Sequence, residues 1–460
     1  MVHNVHNVPI VHTVHPDKER PMLSRRTFLR GVSSGVVAGG VALKVRPTSA
    51  RSLEQVIAPT LGAGDLKPTG PLDEAYWWKV RSQFNILDGM TFMNNGTEGP
   101  VPRCVTEANE KVFREIAENP SNNYRREEVD VVRGIVAKFV NAEPAEIALT
   151  RSTTEGMNIF THGLDWKAGD EVVYCNHEHG GGIGPYTTLA KRIGIRPVII
   201  EIPSPPSSVD QIVGLYEKAI TPRTKAIMVS HMTYVTGLIT PVKELAELAH
   251  RRGILISVDG AHPLGMMDLD LKAMNVHHYA AAGQKWMMCG TGTGVCYIRR
   301  DVQDRIWPLM GPPGDPQVGA KKYEAFGQRD VPSVLGMTAA VEMQNAIGKK
   351  NIEDRVRFLS ARLRAGLKQI PGVKMWTSED PRFSAGLTLF SIHNIPMENI
   401  TKAILARDRI YIRTMTTGNL NAVRAATHIY NMPAEVDHLI ASVKHVAENA
   451  SRYMTTTSAQ

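Results

Sequence analysis

The stretch ILISVDGAH, residues 254–262, is a short apolar run that ends in an aspartate and a histidine. Such a run, bounded by turn residues, predicts a buried strand over 254–258 with Asp259 just beyond it. A second strand is predicted at 278–282, and the sequence GQKW that follows it contains Lys285. Because the carboxyl ends of parallel strands meet at one crevice of the sheet, we expect Asp259 and Lys285 to converge there.

A lysine and an aspartate at such a crevice suggest a defined chemistry. The lysine can form a Schiff base with an aldehyde cofactor, and a buried carboxylate beside a pyridine nitrogen keeps that nitrogen protonated. A protonated ring stabilises a carbanion at the α-carbon of a substrate. Taken alone, Asp259 and Lys285 could equally form a structural ion pair.

On both sides of this stretch, short apolar strands alternate with amphipathic helices, which is typical of an α/β fold with a mostly parallel sheet. The predicted strands are 146–150, 171–175, 197–202, 226–230, 254–258, 278–282 and 294–298. The predicted helices are 127–140, 153–164, 186–193, 209–220, 241–252, 335–349 and 352–368. The predicted domains are a leader and signal at 1–50, an N-terminal segment at 51–114 that packs with the small domain, a large domain at 115–340 and a small α+β domain at 341–460.

Three further groups carry candidate functional side chains. Thr153 and Thr154 open a helix, where hydroxyl and backbone N–H groups suit a phosphate, although plain helix capping also explains them. His179 follows a strand and can stack on a flat ring, with a metal-binding histidine pair as the alternative. Arg424 lies in an otherwise apolar strand, where a guanidinium is costly unless it meets a carboxylate, either of a ligand or of a structural salt bridge.

Composition and charge exclude several classes of protein. Apolar residues make up 43% and charged residues 21% of the 460 residues, which excludes a mainly disordered or collagen-like chain. No run of about 18 apolar residues is present, so we expect no stable membrane insertion. The net charge of +8 comes mostly from residues 17–51, which carry eight basic and two acidic side chains. The remainder is nearly neutral, and nucleic acid is therefore not an expected partner.

The N-terminal region resembles an export signal. Residues 24–30, SRRTFLR, resemble the twin-arginine motif, and a Gly/Ala/Val-rich run over 31–43 leads to small residues ending at Ala50. This pattern predicts passage through the twin-arginine machinery to the periplasm, with the signal removed near Ala50. Four histidines within residues 1–21 indicate either a flexible leader or a metal-binding tail.

The four cysteines form no CxxC pair and no disulfide framework. Cys175, Cys289 and Cys296 lie in or beside apolar segments, so we expect buried free thiols. Twin-arginine systems carry folded proteins, and folding in a reducing cytosol before export would explain this cysteine usage.

The order of several motifs resembles the class V aminotransferases, which are fold-type I pyridoxal 5′-phosphate enzymes. These motifs are TTEG at 153–156, the histidine at 179, DGAH at 259–262, QKW at 284–286, GTG at 290–292 and VR…YN at 423–431. Within the class, MNNGTEGPVP at 93–102 and GQRD at 327–330 look most like the isopenicillin N epimerase-like branch. The resemblance implies a large, mostly parallel seven-stranded-sheet domain, a smaller α+β C-terminal domain, bound pyridoxal 5′-phosphate and a homodimer with shared active sites.

The same resemblance implies a role for each matching residue. It gives Lys285 as the Schiff-base lysine and proton shuttle, Asp259 at the pyridinium nitrogen, His262 at the phenolic oxygen, His179 on the ring face, Thr153 and Thr154 at the phosphate, and Arg424 at the substrate carboxylate. Gln284 and Gln328 would also contact the cofactor, the latter across the subunit interface, and Asn95 and Tyr234 would contact the substrate.

The sequence departs from the class pattern at several of these positions. Gln284 replaces a usual histidine, Ala282 a common serine and Gln328 a usual threonine, so phosphate binding is expected to be weaker or rearranged. Tyr234 stands where related cysteine desulfurases carry an asparagine. The segment 414–419 has no cysteine, and a persulfide-forming desulfurase is therefore not expected, because the nucleophilic thiolate is missing.

The expected function is that of an exported pyridoxal-phosphate enzyme acting at the α-carbon of an amino acid or amino-acid unit. Combined with the signal, the branch resembles periplasmic enzymes that tailor pyoverdine-type siderophores, which favours a transamination-like modification of a secreted peptide metabolite. One alternative is a C–S or C–N lyase, or an epimerase, on a small amino acid. A second alternative is a non-catalytic binding protein on the same scaffold.

Overall fold

The computed structural model describes residues 67–311, 316–416 and 420–454. The predicted leader, export signal and cleavage position lie outside the described residues. Thirteen strands are assigned in the described part. They are β1 Thr91–Phe92, β2 Ile147–Thr150, β3 Glu171–Cys175, β4 Arg196–Ile200, β5 Thr224–Ser230, β6 Leu255–Asp259, β7 His278–Ala282, β8 Gly294–Ile298, β9 Val373–Met375, β10 Leu387–Ile392, β11 Ile410–Tyr411, β12 Arg413–Met415 and β13 Ala422–Ala426.

The α-helices of the described part connect and cover these strands. They are α1 Glu74–Arg81, α2 Arg103–Glu118, α3 Arg126–Phe139, α4 Thr153–Gly163, α5 Gly180–Ile193, α6 Val209–Ala219, α7 Val242–Arg252, α8 Leu271–Met274, α9 Val331–Ile347, α10 Lys349–Lys368, α11 Met397–Asp408 and α12 Pro433–Glu448. Of these helices, none is both long and apolar enough to cross a membrane.

Seven strands form the large sheet, in the order β2-β8-β7-β6-β5-β3-β4. The strands from β7 to β4 are parallel to one another, and β8 is antiparallel to both of its neighbours. Every residue of β3, β6, β7 and β8 is buried, because helices cover the sheet and leave no face for solvent. This sheet confirms the predicted α/β fold with a large, mostly parallel sheet of seven strands.

The order of the strands reverses beside β3, where the chain goes first to β4 on one side and then to β5 on the other. Such a reversal opens a crevice at the carboxyl ends of the strands, since the two connecting helices lie on opposite faces. The functional side chains predicted from the sequence follow β2, β3, β5, β6 and β7, and all of these ends belong to that edge.

A second sheet of four antiparallel strands, in the order β12-β13-β10-β9, forms the C-terminal part. Its apolar side chains pack with α10, α11 and α12 in one core that includes Leu359, Phe390, Val423 and Leu439. The N-terminal segment reaches this part through β1, which pairs in parallel with β11, and through a bridge between Asn94 and Ala426.

Several helix starts differ from the prediction for local reasons. Helix α5 begins at Gly180 instead of residue 186, because the His179 ring accepts a hydrogen bond from the Gly181 N–H and caps it. Helix α9 begins at Val331 instead of residue 335, where the Asp330 side chain accepts from the Ser333 N–H. Helix α2 was not predicted from the sequence, although its buried residues Val105, Ala108 and Val112 follow a helical spacing.

The four cysteines are free, and Cys175, Cys289 and Cys296 are buried, as predicted.

Candidate active site

A cavity of about 220 Å³ lies at the carboxyl ends of the central strands, between the large sheet and the four-stranded sheet. Its wall combines strand ends, two helix starts and two arginines from the C-terminal sheet. The lining residues are Gly96, Thr97, Ser152, Thr153, Thr154, His179, Tyr234, Asp259, Ala261, Ala282, Gln284, Lys285, Arg413 and Arg424. The structure therefore brings together eight of the predicted site residues, namely Thr153, Thr154, His179, Tyr234, Asp259, Gln284, Lys285 and Arg424.

Asp259 and Lys285 form the charged centre of this cavity. Asp259 is the last residue of β6 and is only 5% exposed, and its Oδ1 accepts a hydrogen bond of 3.0 Å from the Ala261 N–H. Burial raises the pKa of Asp259, while the nearby Lys285 charge opposes this rise. Burial lowers the pKa of Lys285 to about 8, with Asp259 opposing and Arg424 adding to the fall. A lysine amine of this kind is partly neutral near physiological pH, which a nucleophile requires.

The shifted lysine predicts how the uptake of an aldehyde depends on pH. The amine attacks only when it is neutral, so the rate at which apo-protein takes up pyridoxal phosphate into a visible absorbance band should rise with pH and level off above about 8. An ordinary lysine would give a rate still rising well beyond pH 9. Stopped-flow absorbance across pH 6–10 measures this midpoint, and a continued rise at pH 10 would contradict the buried site.

His179 is fixed by its backbone contact. Its Nδ1 accepts a hydrogen bond of 3.0 Å from the Gly181 N–H, so a neutral ring carries its proton on Nε2. Burial lowers the pKa of His179, which the Asp259 charge partly opposes, and the neutral ring is favoured. The Tyr234 ring stands edge-on to it, with 4.9 Å between the ring centroids. The described residues include no cluster of three or more metal-ligating side chains.

Two helix N-termini meet at the other end of the cavity. Ser152 caps α4 by accepting from the Glu155 N–H, and the buried Thr153 Oγ1 has no hydrogen-bond partner among the described residues. A Cβ on Gly181 would lie 2.5 Å from Thr154 Oγ1, so glycine is needed for α5 to approach α4 this closely. The threonine hydroxyls and the two positive helix ends favour an anion such as a phosphate.

A pair of arginines closes the cavity on the side of the C-terminal sheet. Arg424 on β13 is 2% exposed and donates to neutral oxygens, Tyr234 O at 2.6 Å and Thr97 Oγ1 at 3.4 Å. Its Nε has no partner within the described chain, and burial lowers its pKa to about 9. Arg424 therefore favours an anionic ligand, because burying a guanidinium without a carboxylate costs free energy.

The second arginine, Arg413, was missed by the sequence reasoning. It lies on β12 directly opposite Arg424 in the antiparallel register and donates to Thr97 Oγ1 at 2.6 Å. The local sequence gives no signal for this neighbour, because the pairing depends on the register of two strands. Thr97 likewise had no predicted role, although it belongs to the motif at 93–102.

Three predicted site residues lie outside the cavity wall. His262 is buried, and its Nδ1 accepts a 3.1 Å hydrogen bond from Trp286 Nε1; its contact with the cofactor ring stays a prediction. Asn95 is fully buried, and its Oδ1 accepts from the Tyr430 hydroxyl at 3.2 Å, so its contact with a substrate stays a prediction. Gln328 is exposed, and its contact across a subunit interface stays a prediction.

The turn at 93–102 packs closely against the backbone around Lys285. The Gly99 N–H donates to Gln284 O at 2.9 Å, and a Cβ on Gly99 would lie 2.3 Å from Lys285 O. A Cβ on Gly96 would lie 2.9 Å from an Arg424 nitrogen. The glycines of this turn are therefore a packing requirement of the site.

The residues present fit pyridoxal 5′-phosphate on the structural observations alone. The unpartnered Thr153 hydroxyl and the helix ends suit its phosphate, the Lys285 amine suits its aldehyde and the buried Asp259 suits its pyridine nitrogen. The family model that matches the chain is "Aminotransferase class-V", over residues 91–439.

Two enzymes are similar to this chain over most of its length. An isopenicillin N epimerase of Streptomyces clavuligerus is 26% identical over 385 residues, which is 79% of this chain and 97% of the relative. A probable cysteine desulfurase of Methanothermobacter thermautotrophicus is 27% identical over 80% of this chain and 97% of its own length.

Solved structures show the same fold. The cystine C-S lyase C-DES, in complex with its reaction product cysteine persulfide, has a TM-score of 0.71 and 26% identity, over 79% of this chain and 99% of that chain. A C-DES variant with glycine linked covalently to the pyridoxal-phosphate cofactor matches equally well, with a TM-score of 0.71. The chain therefore belongs to the class V aminotransferase family, and it is an enzyme of fold type I whose cofactor is pyridoxal 5′-phosphate.

Proposed function

We propose that this enzyme acts at the α-carbon of an amino-acid unit in a secreted peptide metabolite, with a transamination-like outcome of the kind used in siderophore tailoring. The observation that carries the reaction at the α-carbon is one cavity that holds Lys285, Asp259 and Arg424, whose Nε has no partner within the described chain. Pyridoxal phosphate, when bound, supplies the electron sink that stabilises charge at a substrate α-carbon.

The residues of the chain divide the remaining work. Lys285 Nζ, a partly neutral amine at about pH 8, can take and return a proton at the substrate α-carbon. Asp259 would supply a negative charge to the ring nitrogen of the bound cofactor, and His179 would stack on its flat ring. Arg424 binds the substrate carboxylate, and the strands around it exclude bulk water, which strengthens that contact.

Removal of the buried guanidinium tests the carboxylate contact. Arg424→Ala should raise KM for an amino-acid substrate by about 100-fold, because a buried charged hydrogen-bond partner is lost, with a smaller change in kcat. Arg424→Lys keeps the charge without the fork of donors and should fall in between. Steady-state kinetics measure both, and Arg407→Ala on α11 is an exposed control. An unchanged KM in Arg424→Ala would contradict the assignment.

The reaction type is tested by visible absorbance of the purified mature protein before and after amino donors such as glutamate are added. A long-wavelength band that bleaches without release of free keto acid in excess of enzyme supports transamination. A band that persists while keto acid accumulates without an amino acceptor supports a lyase instead.

The lyase is the second candidate, and a specific finding favours it. The cystine C-S lyase C-DES has a solved structure that matches most of this chain. The segment 414–419 has no cysteine, so a persulfide carried on that loop is not part of this candidate. An epimerase on a small amino acid is the third outcome, and it would show as exchange of the α-hydrogen with solvent without keto acid.

We further infer export to the periplasm by the twin-arginine route. The support is the sequence SRRTFLR at 24–30 and the small-residue end at Ala50. Residues 1–60 fused to a folded reporter should carry it to the periplasm, and a fusion with Arg25→Lys and Arg26→Lys should stay in the cytosol. If the unaltered fusion is not exported, the siderophore assignment loses its main support.

We also infer a homodimer with shared active sites, in which residues 327–330 reach the phosphate site of the partner subunit. In the chain itself Gln328 is exposed and lies outside its own cavity wall, which leaves it available for such a contact. Sedimentation velocity should give twice the chain mass, and a monomer that still binds the cofactor would contradict this inference.

A further inference from the structure

A buried carboxylate beside the cavity has no role in the proposed reaction. Glu178 is 4% exposed and lies between β3 and β5, one residue before His179. Its Oε2 accepts from the Ser230 N–H at 2.9 Å and from the Ser230 hydroxyl at 2.5 Å. Its Oε1 accepts from Cys175 Sγ at 3.1 Å. Burying a carboxylate without a cation costs free energy, so we expect the hydrogen bonds of Glu178 to have a structural role here.

Glu178 stands where the ladder between β3 and β5 stops. The two strands are paired only as far as Val173 and Ile227, whereas β3 stays paired with β4 as far as Cys175, and β5 stays paired with β6 as far as Ser230 and Asp259. The carboxylate therefore bridges the gap that opens between the two strands at the reversal of strand order. It replaces the missing main-chain bonds with bonds from a side chain.

The turn that follows Glu178 lies directly against Asp259. The Gly182 N–H donates to His179 O, and a Cβ on Gly182 would lie 3.2 Å from Asp259 Oδ2. Asp259 is itself the register partner of Ser230, the residue that Glu178 holds. One carboxylate thus ties the turn that carries His179 to the strand pair that carries Asp259.

We propose that Glu178 is a positioning residue, which sets the spacing between the His179 ring and the Asp259 carboxylate and so shapes the slot for the flat cofactor ring. This inference deepens the proposed function and rests on the same site. It concerns binding of the cofactor ring, so its test does not require the substrate or the reaction type to be known.

The chain offers a matched control on the same strand. Glu171, the first residue of β3, is 3% exposed and accepts from the Thr221 hydroxyl and from Arg223 Nη2 at 2.8 Å. Glu171 connects β3 to the start of β5, at the amino ends of the strands. Glu178 connects β3 to the end of β5, at the carboxyl ends of the strands. Both substitutions to alanine should lower the melting temperature, whereas only Glu178→Ala should alter the cofactor site.

The experiment measures pyridoxal-phosphate affinity by titration of apo-protein, and visible circular dichroism of the loaded protein. Glu178→Ala should weaken affinity by roughly 10-fold, because the Ser230 N–H loses its acceptor, and should reduce the dichroic band. Glu171→Ala should match wild type in both readouts. Glu178→Gln, which retains an acceptor for Ser230, should restore most of the affinity.

If Glu178→Ala binds the cofactor like wild type with an unchanged dichroic band, the proposal is overturned. If Glu178→Ala does not fold, Ser230→Ala removes the hydroxyl half of the same contact. It should weaken affinity by about 3-fold and reduce the dichroic band, whereas wild-type values would overturn the proposal. If the proposed reaction type is wrong, this appears only in assays with substrate. The cofactor affinity and the dichroic band are unaffected.

Discussion

Lys285→Ala should remove the visible band of lysine-linked cofactor and lower turnover by on the order of 10³. The reason is that Lys285 supplies the amine facing the cavity beside Asp259, and the Lys285 amine is the group placed to move a proton at the substrate α-carbon. Absorbance spectroscopy and steady-state kinetics on the same preparation measure the two losses.

The matched control is Lys272→Ala, because that lysine is exposed on the short helix α8 and should change neither quantity. Ligand affinity decides between the enzyme and a non-catalytic binding protein. Turnover that survives Lys285→Ala would contradict the catalytic assignment, and a wild type without turnover whose ligand affinity is unchanged in Lys285→Ala would favour the binding protein.

Asp259→Asn should lower turnover by on the order of 10², because a preorganised charge is lost from a buried site, while the cofactor still binds. Asparagine is nearly isosteric and keeps an oxygen for the Ala261 N–H, so the fold of the turn should persist. What is lost is the negative charge that favours a protonated ring nitrogen. Kinetics and the visible spectrum measure the effect.

The same variant should shift the pH dependence of cofactor uptake. The Asp259 charge raises the pKa of Lys285, which burial lowers to about 8 in the native site. Without that charge the pKa falls further, so the midpoint of uptake should move below its wild-type value. A midpoint that moves up or stays in place would show that the two groups do not interact. Asp301→Asn is the control, because Asp301 is an exposed carboxylate that forms an ion pair with Arg299.

The fold was predictable from the sequence because its main signal is local. Strands β3, β7 and β8 begin and end at the predicted residues, since each is a short apolar run between turn residues. Helix starts were less predictable. The start of α5 depends on a histidine that acts as a cap, and the glycines and Pro185 that follow conceal the helical period.

The residues of the candidate site were predictable where they lie at or just after the end of a strand. Thr153, His179 and Lys285 each follow a strand of the large sheet, Asp259 is the last residue of one, and parallel strands bring such residues to the same edge. His262 follows β6 equally closely, yet its ring turns to the Trp286 indole. Which way a side chain turns after a strand depends on partners distant in sequence, and the pattern contains no information about them.

The sequence by itself determined the α/β fold, the buried strands and the convergence of Asp259 and Lys285 at one crevice, because the hydrophobic period and the ends of the strands are local features of the sequence. Only the tertiary structure decided that Arg413 stands beside Arg424, that Thr97 bonds both arginines and that Glu178 bridges β3 and β5. These contacts arise from strand register and from segments distant along the chain, and register is set by the packing of the whole sheet.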